Sequence, residues 1–149
     1  MTDPTLRTMP GHLIRRAHQA SSAIFAQTMA REGLDLTPFQ FAALSAIKAE
    51  PGIDQATVSA HAAVDRATIG GVIDRLVDKG YVARDVSKRD RRARVLHLTD
   101  SGSAILERVQ GLVSEMQGEI CNGLSLEESA QLIALLRRIS DNHPKAGES

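Results

Sequence analysis

Residues 65–99 constrain this chain more than any other stretch, because a bounded helix is followed there by two strand-like runs and a cationic tip. Asp65 is a favoured helix N-cap, and Ile69, Val72, Ile73, Leu76 and Val77 follow at helical spacing. Gly80 then stops the helix as a C-terminal cap would. Residues 81–84 and 94–98 can pair as strands, and the run Ser87-Lys88-Arg89-Asp90-Arg91-Arg92 lies between them. A helix beside a cationic hairpin can place one element in the major groove of DNA. The other then lies against the phosphates or in the minor groove.

The charge distribution agrees. The chain has 18 basic and 18 acidic residues, so its net charge is uninformative. Residues 66–94, however, hold nine of the basic residues against four acids, Asp74, Asp78, Asp85 and Asp90. A neutral protein with one basic segment fits a polyanion footprint. The same charges would also serve a solvated hairpin whose edge must not pair with another chain.

A chain of 149 residues has the size of one domain with a real core. Aromatic residues make up only 3%, which argues against single-strand or RNA binding by stacking platforms. Cys121 is alone, so neither a disulfide framework nor a thiolate zinc site is expected. The five histidines are scattered, and no phosphate-cradling glycine loop or nucleophile–base motif occurs. An enzyme, a metal site or a cofactor is therefore not expected. No stretch is long enough to span a bilayer and the first ten residues lack an apolar signal core, so a reducing cytoplasm is the expected location.

The rest of the pattern is helical. Residues 1–10 read as a disordered arm closed by Pro10-Gly11, and residues 143–149 as a loose tail. Ile14, Ala17, Ser21, Ile24, Phe25 and Met29 form a helical stripe that Gly33 ends. Thr37-Pro38-Phe39-Gln40 is a capping box with proline at the first helical position, and that helix stops before Pro51-Gly52. A short helix over residues 55–62 precedes the turn at Ala63-Val64. With the helix after Asp65 it makes a helix-turn-helix, and the hairpin makes it winged. Thr99-Asp100-Ser101-Gly102 starts a long helix with Ile105, Val109, Leu112, Val113, Met116 and Ile120 on one face. Ser125-Leu126-Glu127-Glu128 caps another, followed by Leu132, Ile133, Leu135, Leu136 and Ile139. The expected fold is mainly α (α+β): a winged helix-turn-helix lobe over residues 37–99, inside a single domain over residues 11–142. Helices in residues 11–34 and 100–142 exceed what the small lobe can cover, so they are expected to intertwine in a twofold dimer. A monomer with a compact helical subdomain is the alternative.

The run from Asp65-Arg66-Ala67-Thr68 through Ile73-Asp74-Arg75-Leu76 to Gly80-Tyr81-Val82, then Asp90-Arg91-Arg92 and Leu98-Thr99-Asp100-Ser101-Gly102, resembles the MarR family of bacterial transcription regulators. The resemblance spans residues 11–142. It implies a homodimer that binds double-stranded DNA at a palindromic operator, mostly as a repressor, often released by a small aromatic carboxylate or by cysteine oxidation. Arg66, Thr68, Ile69 and Arg75 match the recognition helix. Ile69 either touches a thymine methyl or belongs to the core. Arg92 matches a minor-groove arginine and Asp90 the acid that orients it; Lys88, Arg89 and Arg91 match phosphate contacts. Gly70-Gly71 departs from the pattern and implies that backbone comes close to DNA or to a neighbouring helix.

At about 100° per residue, Arg15, His18 and Ser22 share a strip beside the apolar face of Ile14, Ala17, Ser21 and Phe25. A cation, an imidazole and a hydroxyl there can hold an aromatic acid, with its charge on Arg15 and its ring on Phe25. A solvated face or salt bridges in a dimer are the alternative. Cys121, near the end of an apolar helix, reads as structural filler.

Overall fold

In the computed structural model, which describes residues 4–90 and 94–143, the elements follow in the expected order. They are α1 (Pro10–Arg31), α2 (Pro38–Ala49), α3 (Gln55–Ala62), α4 (Arg66–Asp78), β1 (Val82–Val86), β2 (Arg94–Leu98), α5 (Asp100–Ile120) and α6 (Leu126–Asp141). Where a disordered arm is expected, Pro4–Thr8 instead form a short 3-10 helix, and the Met9 amide donates to the Leu6 carbonyl. Pro10, which has no N–H to lose, then opens α1 one residue before Gly11.

Side-chain caps fix where the helices begin. Thr37 and Gln40 close a reciprocal capping box on α2, and Ser125 and Glu128 close one on α6. Asp54, Asp65 and Thr99 accept from the third amide of α3, α4 and α5. Each such cap contributes about 1 kcal/mol. Gly80 takes φ +79°, the left-handed conformation that lets the chain leave α4 directly for the hairpin. Ala63 takes φ 55° in the turn between α3 and α4, where the Ser59 hydroxyl donates to the Val64 carbonyl and pins the angle between the two helices.

The core is shared by the lobe and the long helices. Leu44 and Ile47 of α2, Val58 of α3, Ile69, Ile73 and Leu76 of α4, Leu96 of β2 and Leu106 and Val109 of α5 are all buried. The hairpin is antiparallel, with Val82 opposite Leu98 and Val86 opposite Arg94. Its other edge is covered by residues 52–53, where the Gly52 amide donates to the Leu96 carbonyl and the Leu96 amide donates to the Ile53 carbonyl. The first strand starts at Val82 rather than at Tyr81. Tyr81 is held in place because its amide donates to the Leu76 carbonyl and its carbonyl accepts from the Thr99 amide.

α1 packs along α5, whereas α6 makes at most marginal contact with the rest of the protomer. No residue of α6 is buried, and Leu132, Ile133, Leu135, Leu136 and Ile139 lie exposed along it. Leu126, at its start, is 93% exposed. Leu13 and Ile14 of α1 are exposed as well. Among the described residues this apolar surface has no extensive partner within the protomer.

Candidate nucleic-acid interface

Two elements set the interface, α4 and the hairpin that follows it. The buried face of α4 is Ile69, Ile73 and Leu76, which turns Arg66, Gly71, Asp74 and Arg75 outward. Ile69 is 1% exposed, so the structure resolves its two readings: it is core, and no base can reach it. Thr68 is half-buried, and its hydroxyl donates to Asp65 Oδ2 at 3.0 Å while its amide donates to Asp65 Oδ1 at 2.9 Å. The first turn of α4 is thereby rigid, with lone pairs of the Thr68 oxygen left to accept.

Among the described residues the glycine pair has no packing cause. A β-carbon at Gly70 would meet the Gln55 amide nitrogen at 3.6 Å, an ordinary contact, and one at Gly71 would meet nothing within 4 Å. No helix comes close enough to require either glycine. Of the two partners that the sequence left open, the neighbouring helix is removed.

The hairpin divides its cations by role. Arg84 Nη2 pairs with Asp74 Oδ1 at 2.6 Å and ties β1 to α4. Lys79 reaches back from the end of α4 to Asp35 and to Gln40 Oε1, the oxygen that also caps α2. These two basic residues, counted in the cationic segment, are structural ties. Arg66, Arg75, Lys88, Arg89 and Arg94 have no acidic partner among the described residues. They are all exposed. At the tip, Ser87 Oγ accepts from the Arg89 and Asp90 amides and turns the chain. Arg91 and Arg92 lie outside the described residues. Sequence reasoning missed the tie between Arg84 and Asp74. A carboxylate and a guanidinium ten residues apart on either side of a helix stop were its available signal.

The strip on α1 is only partly brought together. His18, Ser22 and Phe25 line a cavity of about 160 Å³ that α5 closes with Met116 and Gln117. The Phe25 ring stands 6.2 Å from that of Phe41, at 50°. His18 also borders a larger apolar groove of about 490 Å³ between α1 and α6. Arg15 lines neither space; it is exposed, with Nη2 3.3 Å from His12 Nδ1. Arg15 lies seven residues before Ser22, about 10 Å along the helix axis, which carries it past the end of the cavity that Ser22 lines. Within a protomer the polar groups at this cavity are those of His18, Ser21, Ser22 and Gln117.

Known proteins share this fold. Residues 33–93 match the model of the MarR family. The chain is 33% identical to the HTH-type transcriptional repressor NicR of Pseudomonas putida, over 92% of this chain and 85% of that one. BpsR of Bordetella bronchiseptica, solved in a study of how 6-hydroxynicotinic acid regulates its DNA binding, superposes with a TM-score of 0.84 at 34% identity, covering 90% of this chain and 94% of that one. A mutant MarR of E. coli complexed with operator DNA superposes with a TM-score of 0.81 at 28% identity, covering 93% and 99%. Such proteins are transcription regulators and not enzymes. With its winged helix-turn-helix, its exposed cations on α4 and hairpin, and its likeness to these repressors along nearly its whole length, the chain belongs to the MarR family.

Proposed function

We propose that this protein acts as a homodimeric, sequence-specific DNA-binding repressor that leaves its operator when a small anionic aromatic compound binds. The observation that carries the reading is the set of exposed cations without an acidic partner among the described residues, Arg66 and Arg75 on α4 and Lys88 and Arg89 on the hairpin, in a chain of zero net charge. Arg66 and Thr68 enter the major groove with the first turn of α4, and Arg75 and the hairpin cations meet phosphates. Arg92, oriented by Asp90, enters the minor groove, a role that rests on the family resemblance alone. Two lobes on a twofold axis then read a palindrome.

The release step is supported by the cavity between α1 and α5. Phe25 and Phe41 offer it apolar ring surface, and His18 and Ser22 offer polar contacts to a carboxylate. A ligand there touches α1 and α5, which carry the lobe, so its binding changes the spacing of the two lobes. The likeness to BpsR favours this class of compound.

Selection of bound duplexes from a random pool, followed by a screen of aromatic acids for release, tests the reading. A palindrome with half-sites about one helical turn apart is expected. Release by a benzoate-like acid should be lost in His18→Ala. A response that survives His18→Ala and disappears in Arg15→Ala returns the carboxylate to Arg15. Equal binding of selected and random duplexes removes sequence specificity and leaves a winged-helix module for an acidic protein partner.

A further inference from the structure

α4 has a second edge that neither its core face nor the hairpin uses. Thr68, Gly71, Val72 and Arg75, spaced i, i+3, i+4 and i+7, form one wall of a groove of about 310 Å³. The other wall is the first turn of α2, with Phe39 on it. Phe39 is 44% exposed. The other aromatic residues of the chain, Phe25, Phe41 and Tyr81, belong to the core or pack against it. Phe39 joins neither the core nor the apolar surface of α1 and α6.

Three observations converge on one occupant. The groove is continuous with the exposed face of α4, because Gly71 and Arg75 belong to both. Its floor at Gly71 is open, with nothing within 4 Å of where a β-carbon would stand. Arg75 has no acidic partner among the described residues. An apolar ring followed by a free guanidinium repeats the alternation of a nucleic-acid strand, in which the apolar faces of sugars are separated by anionic phosphates.

We propose that this groove seats one strand of the operator duplex beside α4, with the Phe39 ring packed on a deoxyribose and Arg75 paired with the adjoining phosphate. The proposal rests on the DNA-binding reading above and adds α2 to the contact surface. Sugar and phosphate are the same at every step, so the groove raises affinity for any duplex and does not read sequence. It also gives Gly71 a purpose. Any longer side chain there fills the space that the strand occupies.

Fluorescence-anisotropy titrations of labelled operator and random duplex, with thermal melts of each variant, test it. Phe39→Ala should weaken both duplexes about fivefold to tenfold and leave the salt slope unchanged, since only apolar contact is lost. Arg75→Gln removes one phosphate contact from each protomer, so it should weaken both and reduce the slope by about two. Gly71→Leu should melt at a higher temperature than the parent, because leucine is the better helix former and no neighbour obstructs it, yet bind both duplexes more weakly. Wild-type binding by Phe39→Ala or Gly71→Leu overturns the groove while the DNA-binding reading stands. A Phe39→Ala defect confined to the operator also overturns it, because the ring would then be reading a base. A parent protein that does not bind operator DNA above random sequence overturns the reading itself.

Discussion

A β-carbon at position 102 would lie 2.0 Å from the Tyr81 carbonyl oxygen, which accepts from the Thr99 amide at the exit of the hairpin. Backbone of α5 therefore touches backbone of the lobe, and only glycine permits it. Gly102→Ala should destabilise the protein by about 1–3 kcal/mol or more, read as a lower urea midpoint at unchanged slope. A midpoint within error of the parent would mean that the junction yields. Ile69 and Arg66 make a matched pair on α4. Ile69→Ala should cost about 2–5 kcal/mol of stability through an unfilled core. Arg66→Ala should leave stability within about 0.5 kcal/mol and weaken operator binding in gel-shift titrations. Helical spacing places Ile69 near the middle of the apolar stripe of Val72, Ile73, Leu76 and Val77, where burial is expected, and the alternative of a base contact came from the family resemblance.

At the scale of elements, the hairpin is aimed by its tie to α4. The pair is partly exposed, with side-chain exposures of 32% for Arg84 and 63% for Asp74, so a double-mutant cycle should give a coupling of about 0.2–1 kcal/mol in stability. Arg84→Ala should harm DNA binding more than that small number implies. It frees β1 from α4 and leaves Asp74 unpaired on a face that meets phosphates. Arg84→Ala combined with Asp74→Asn should recover part of the affinity, and a double variant no better than the single one would show that the tie alone matters. The helices and their starts were readable because capping boxes are local: Thr37 with Gln40 and Ser125 with Glu128 lie three residues apart. The bridge of Ile53 to Leu96 was not readable, since it joins residues 43 apart through backbone groups common to every residue. The same limit hid Phe39, whose neighbours Gly71 and Arg75 come to it only when α2 packs beside α4.

For the whole molecule, α6 is the decisive element, because an amphipathic helix with no buried residue has no reason to stay in place in an isolated chain. Leu136→Lys should split a dimer into monomers in sedimentation or light-scattering measurements and reduce operator binding to that of a half-site. A monodisperse monomeric parent would leave the surface of α6 unexplained. That a dimer grips duplex DNA through the exposed cations of α4 and the hairpin is read out by the salt dependence of operator affinity. With Arg75, Lys88 and Arg89 neutralising roughly six phosphates over two protomers, a plot of log K against log salt should fall with a slope of about −5. A slope near zero, or one unchanged when these three residues are replaced by glutamine, would contradict it.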